Sequence, residues 1–420
     1  MSNPRDDLLA AIENDRQELI TFLSDFLKIP TPNPTGDTRE ACRFVSEFLT
    51  QQGLDHEVLR CHPEQPNIAA SFEAGAAGRH LTLNGHMDVF PVEDETAWTH
   101  GPWSGAIADG FIWGRGAVDM KAGTTASIFT YRYLHRVRDR LKGRLTLTVV
   151  SDEETLGSNG TRFLLDQHPH LRGDCCMNGE PSGPRTVRFG EKGLLWLELR
   201  IRTGGGHGAY PHLSRSANKI AAEVIRDLEQ LSEFPVTIPG PHRDELERAY
   251  AHADQVLGQG ASAVAQKVIV NIGQIRGGVK INVLPASCTL EVDIRVPVGL
   301  RIEEVKKAAT ALLAKYPDVE IVELNRSEPN VCPPEHDLSR IMLANARTIK
   351  GHDVDPIVGL GATDTRIWRE LGIPAYVYGP SPKTMGARDE RIEIEEFMDV
   401  VKVHCLSAYD YLAGPATHQR

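Results

Sequence analysis

The stretch from residue 81 to residue 156 constrains this chain more than any other. It reads LTLNGHMDVFPV, then FIWGRGAVDMKAG, then GRLTLTVVSDEET, and each piece runs from apolar, strand-like sequence into histidine or acid. His86 and Asp88 stand two apart after Leu81 and Leu83, so on extended backbone they point the same way. Asp119 follows a glycine-rich turn, and Met120 to Leu134 then has helical spacing. Leu145, Leu147, Val149 and Val150 lead into Asp152, Glu153 and Glu154, with a further helix expected after Gly160. HPHLRGDCCMNGEPSG closes the segment and sets Glu180 after another strand. Strands that end in His, Asp and Glu are what a metal site on an open α/β sheet requires, because ligands gather beyond the carboxyl ends of the strands.

The rest of the chain narrows the class. Its 420 residues, 41% of them hydrophobic, suffice for a large core and, at roughly 150 residues per domain, for two or three domains. A net charge of -11 with no Lys/Arg run excludes a nucleic-acid footprint. No apolar run reaches the ~18 residues that span a bilayer, so no membrane partner is expected. The acidic opening MSNPRDDLLAAIEND lacks the basic start and apolar centre of a signal peptide. Seven scattered cysteines without a CxxC pair fit a reduced, cytoplasmic protein with free thiols.

In chain order, residues 5 to 28 read as one helix, and a second runs from Thr38 to a stop at Gly53. Strands follow at His56–Leu59 and Asn67–Phe72. Near residue 187 the character changes. Leu195, Leu197, Leu199 and Ile201 alternate with polar residues, as in a half-exposed antiparallel strand. A helix over 216–231, a polar stretch over 236–262 that resists assignment, strands VIVNIGQIRGG and CTLEVDIRV, helix EEVKKAATALLAKY and strand VEIVEL complete a β-α-β-β-α-β order, that of a ferredoxin-like α+β unit. Helix 337–350, strand AYVYG and helix 393–413 restore the α/β character. The expected architecture is an α/β catalytic domain, 1–188 and 327–420, with a mostly parallel sheet flanked by helices. An α+β domain at 189–326 interrupts it.

Seven segments in order carry a wider resemblance: GHMDVFP (His86, Asp88), WGRGAVDMKAG (Asp119), SDEETLGS (Glu153, Glu154), GEPSG (Glu180), GGGHGAYPHLSRSANKI (His207), VKINVLPASCTLEVDIRVP (Asn282, Arg295) and GATDTR (Asp364, Arg366). Together the chain resembles the M20 metallopeptidase and amidohydrolase family, which hydrolyses C–N bonds of small carboxylate-bearing substrates. The resemblance implies two divalent ions bridged by Asp119, the first held by His86 and Glu180 and the second by Glu154. It implies Glu153 as general base, Asp88 as the group that orients His86, and His207 as a donor to the oxyanion. Asn282, Arg295, Asp364 and Arg366 become substrate contacts, and the inserted domain becomes a lid and dimerisation element of a homodimer or larger homo-oligomer. The donor set itself agrees: mixed imidazole and carboxylate ligands suit Zn²⁺, Mn²⁺ or Co²⁺ without selecting one.

One position departs. The family ends its site with a histidine ahead of an Asp-Glu pair, whereas KTMGARDE keeps Asp389-Glu390 and places Gly386 in the histidine's slot. The ion count is therefore one or two per chain. Two readings stand beside amide hydrolysis: an aminohydrolase releasing ammonia from an aromatic amine such as a nitroanthranilate, and a non-catalytic binding protein on the same scaffold. Plainer roles also exist for single residues. Glu153-Glu154 would suit a helix N-terminus, Arg295 a strand-end ion pair, and Asp364 a helix cap.

Overall fold

The apolar runs of the opening stretch pair with one another. In the computed structural model, which describes residues 3–238, 240 and 242–414, Ala76–His86 lies parallel to Lys142–Val150 on one side and to Cys175–Asn178 on the other. Ala375–Val377 adds a fourth parallel strand next to Cys175–Asn178. Leu81, Leu83, Leu145, Leu147, Val149, Met177 and Tyr376 are fully buried on these strands. These strands are covered on both faces, so the polar residues that alternate with the apolar ones, Thr82, Asn84, Thr146 and Thr148, are buried as well. Gln65–Glu73 and Glu57–His62 extend the sheet as antiparallel strands beyond Lys142–Val150, so the sheet is mixed, with its parallel part at the centre.

Parallel register is what gathers the chemistry. His86 pairs with Val150, and Asn84 pairs with Asn178. The acidic residues that follow Val150 and Asn178 therefore leave the sheet at the same edge as His86. The helix Lys121–Arg136 presses its first turn against that edge. A Cβ at Gly123 would stand 2.0 Å from the Gly179 carbonyl oxygen, so only glycine permits the approach. Asp119 and Glu180 are brought close by it.

The chain forms two compact units: the first takes in residues up to Phe189, Cys332–Ile357 and the chain from Thr363; the second is Gly190–Val331 with Val358–Ala362. Within the first, the single helix expected over 5–28 is two, Pro4–Asn14 and Arg16–Leu27. Asp15 breaks them, and its carboxylate accepts from Arg132 at 2.6 Å and from the Tyr133 hydroxyl at 3.1 Å. In the second unit, Val319–Ser327, Gly193–Arg202, Ser287–Val296 and Ile269–Gly277 form an antiparallel sheet in that order. This is the ferredoxin-like arrangement, with the helices Ala217–Glu229 and Ile302–Leu313 packed on its apolar side. The unassigned stretch holds the helices Arg243–Leu257 and Ala261–Gln266. Their buried face is largely alanine with Leu246 and Tyr250, too weak an apolar stripe to read. Among the described residues no helix is long and apolar enough to cross a membrane.

Candidate metal centre

Three buried side chains from three segments meet beyond the sheet edge. His86, the last residue of its strand, points Nε2 at Glu180 Oε1, 3.2 Å away, and at Asp119 Oδ1, 3.4 Å away. Among the described residues this is the one group of three or more metal-type donors, all within 4.8 Å of one another. His86 Nε2 and Glu180 Oε1 are buried and have no hydrogen-bond partner. A buried polar atom left unpaired is costly, and two that converge on a third donor fit a cation. On the other side of the ring, Nδ1 lies 2.9 Å from the Asp88 carbonyl oxygen, which can only accept. The ring proton therefore sits on Nδ1 when the ring is neutral, and the Nε2 lone pair faces the site.

Asp88 does more than orient that ring. Its carboxylate accepts from the Glu153 and Glu154 backbone N–H groups at 3.2 and 3.1 Å, and from Asn33 Nδ2 at 2.8 Å. It thus fixes the short turn Glu153–Thr155 against the His86 strand. Glu153 Oε2 stands 3.9 Å from His86 Nε2. Glu154 Oε1 is a further buried oxygen without a partner. Asn33 carried no sequence signal, because it lies in the proline-rich segment before the second predicted helix.

Asp119 is held from behind by a residue 271 positions away. Glu390 Oε1 accepts from the Val118 and Asp119 N–H groups at 2.9 and 3.1 Å. Its other oxygen pairs with Arg115 Nη1 at 2.5 Å, and Arg115 in turn donates to the Gly386 and Ala387 carbonyls at 3.0 and 3.2 Å. Lys121 Nζ, its pKa pushed down to about 7 by burial, donates to the Phe26 and Ile29 carbonyls at 3.0 and 2.7 Å and ties the same turn to a helix end. The retained Asp-Glu pair of the tail therefore has a task in Glu390. Replacing Glu390 with alanine would strand the Arg115 charge and free two N–H groups. Denaturant titration should show a loss of about 3–5 kcal/mol, as for other broken buried pairs. Gly386 itself has φ +68°, and a Cβ there would meet the Phe90 ring at 3.6 Å. A side chain at that position would have to adopt a backbone conformation that L residues rarely take.

The electrostatics of the centre are those of crowded carboxylates. Burial raises the Glu180 pKa to about 8, with Asp119 adding repulsion and His86 opposing it. Glu153 is pushed well above the usual carboxylate range by burial and then by Glu180; Glu154 is pushed up by burial and then by Asp119. Burial lowers the His86 pKa, but Glu180, Asp119 and Asp88 outweigh it and raise the ring well above its usual value. Asp88 goes the other way, since His86 and the Asn33 and Glu154 donors more than offset its burial. Protons shared among such groups are what a divalent cation displaces.

The other residues singled out in sequence sit elsewhere. Asp364 accepts from Thr161 Oγ1 at 2.6 Å in the first unit and stands at the start of the helix Thr365–Glu370 without capping it. Arg366 is buried, with Nη1 3.6 Å from Glu153 Oε1. His207 is exposed on a two-residue strand that pairs with Val283–Leu284 in the second unit. Exposed Asn282 accepts from the Gly208 N–H through its carbonyl at 2.9 Å. Arg295 donates to Asp293 at 2.9 Å, the strand-end pair that its position allowed.

Residues 82–410 match the family model described as Peptidase family M20/M25/M40. The succinyl-diaminopimelate desuccinylase of Cereibacter sphaeroides is 31% identical over 406 residues, covering 94% of this chain and 99% of that protein. The M20 family metallo-carboxypeptidase Sso-CP2 of Sulfolobus solfataricus superposes with a TM-score of 0.81 at 20% identity, covering 94% of this chain and 99% of that one. The di-peptidase Dug1p of Saccharomyces cerevisiae does so with a TM-score of 0.81 at 16% identity, covering 99% and 100%. At these identities the two structures speak to the fold alone.

Proposed function

The chain belongs to peptidase family M20/M25/M40, and from that premise we propose that it removes an acyl group from the nitrogen of a small, carboxylate-bearing amino acid. At the coarser level it is a metal-dependent C–N hydrolase, not a non-catalytic relative. The observation that carries the finer reading is the convergence of unpartnered His86 Nε2 and Glu180 Oε1 on Asp119, with Glu153 alongside. His86, Asp119 and Glu180 would hold a divalent ion, which would supply Lewis acidity to water and to the acyl oxygen. Glu153 takes the proton from the attacking water and returns it to the leaving nitrogen. Asp88 keeps the His86 tautomer and the Glu153 backbone fixed throughout. His207, Asn282 and Arg295 are proposed as the groups that contact the acyl oxygen and the substrate carboxylate; the sequence motifs are their support. A cytoplasmic homo-oligomer is part of the same reading.

We further propose one tightly held ion of Zn²⁺, Mn²⁺ or Co²⁺ per chain. Asp119 and Glu154 remain for a second, but Gly386 brings no imidazole to it. Elemental analysis should therefore find close to one equivalent after dialysis; two retained equivalents would refute that count. The activity is tested by incubating the metal-loaded protein with N-succinyl and N-acetyl amino acids and following free amine. Gly386 favours one competing reading, deamination of an aromatic amine. Ammonia release from a nitroanthranilate, with every acyl amino acid untouched, would overturn the first in favour of the second.

A further inference from the structure

We infer that Arg366 is the positioning residue of Glu153: it clamps the turn that carries this carboxylate and sets its charge beside one of the two oxygens, so that the other faces the centre. The inference rests on the reading of Glu153 as base. The turn needs a clamp. Asp152 and Leu156 flank it at φ 84° and 76°, both non-glycine residues in the left-handed region. Such conformations persist only where their surroundings over-determine them. On one side the surroundings are plain: Asp152 accepts from the Asn159 N–H at 2.8 Å, and Asp88 holds the Glu153 and Glu154 N–H groups. On the other side, Arg366 Nη2 donates to the Leu156 carbonyl at 2.7 Å.

The second nitrogen of the fork completes the picture. Arg366 Nη1 donates to the Thr363 carbonyl at 2.7 Å and stands 3.6 Å from Glu153 Oε1. The side chain is 2% exposed. Both terminal nitrogens donate to backbone carbonyls and the side chain is buried, so its visible task is to hold the turn; resemblance had implied a substrate contact instead. Gly157 closes the packing: a Cβ there would lie 2.8 Å from Asp364 Oδ1. The two oxygens of Glu153 are thereby told apart. Oε1 faces the guanidinium, and Oε2, 3.9 Å from His86 Nε2, faces the donor group. Oε2 is the oxygen that accepts the proton. A planar fork that donates to two backbone carbonyls and stands beside a carboxylate is not replaced by the point charge of lysine.

The test is a double-mutant cycle on the metal-loaded full chain, joined to amide hydrogen exchange. Arg366→Ala should lower kcat about 100-fold with KM within about threefold, the pattern for a group lost from transition-state stabilisation without ground-state binding. Arg366→Lys should recover part of it, to within about tenfold of wild type, and carries the test if the alanine variant does not fold. Added to Glu153→Gln, Arg366→Ala should cost less than about threefold more, because residues that act as a unit are non-additive. Exchange at residues 153–156 should quicken at least about tenfold while the helix Lys121–Arg136 keeps its protection. A raised KM at wild-type kcat, an equal further loss in the Glu153→Gln background, or unchanged exchange at the turn would each overturn the role of Arg366. Wild-type turnover in Glu153→Gln would instead sink the base reading, and the exchange result would still decide whether Arg366 clamps the turn.

Discussion

Glu153→Gln is expected to keep the fold and the ion while losing turnover. The change preserves shape and removes the group that accepts a proton, and the backbone N–H bonds to Asp88 are untouched by it. General-base removal costs about 10²–10⁴-fold in comparable sites, so kcat should fall by roughly three orders of magnitude. KM, ion content and melting temperature should stay near wild type, since none of the three donors that converge on the site is altered. Steady-state kinetics with elemental analysis on the same preparation checks all of this. A variant that turns over at the parental rate would show that another group takes the proton.

Removing the ion should cost activity altogether and stability in a pH-dependent way. The sign follows from Glu180. Its folded pKa of about 8 lies above the ordinary value of 4.5, so without an ion the folded chain holds a proton that the unfolded chain releases. The stability tied to that proton is complete at pH below the ordinary carboxylate value and is lost as pH rises through about 8. A cation replaces the proton and cancels the loss. The melting temperature of chelated protein should therefore fall, relative to the loaded protein, as pH goes from about 5 to about 8. At a hundredfold excess over Kd, the ion should contribute about 2.7 kcal/mol, a shift of several degrees. Thermal scans at three pH values with and without Zn²⁺ read this directly. An ion-induced shift that grows toward acid pH would contradict the scheme. His86→Ala should show the same loss of activity without chelator, because Nε2 is the nitrogen of the three-residue donor group found among the described residues.

What could be read in the sequence was whatever lies close along the chain. His86 ends its strand with Asp88 two residues beyond it, and Glu153 and Glu180 each follow an apolar run by a few residues, so sequence pattern alone placed them at strand ends. The four parallel strands announced themselves the same way, through short apolar runs such as LTL, LTLTVV and AYV. The groups that fix these residues in place were not legible, because they act across long separations. Glu390 reaches the Asp119 turn over 271 positions, and Arg366 reaches Leu156 over 210. Resemblance assigned Arg366 a substrate contact, whereas its burial against Glu153 is a matter of tertiary packing. The break at Asp15 was equally hidden, since the apolar spacing runs through it and only the Arg132 and Tyr133 contacts mark it. The helix Arg243–Leu257 was missed for another reason: alanine on a buried face carries little hydrophobic contrast.

The register that pairs His86 with Val150, and Asn84 with Asn178, also dictates an order of assembly. No two adjacent stretches of chain can offer the ion its donors before those strands align, so loading is a late event. Unlike small zinc domains that are organised by their metal, this polypeptide should accumulate under chelation as a folded, dormant species that wakes within the mixing time of added ion, with no refolding delay.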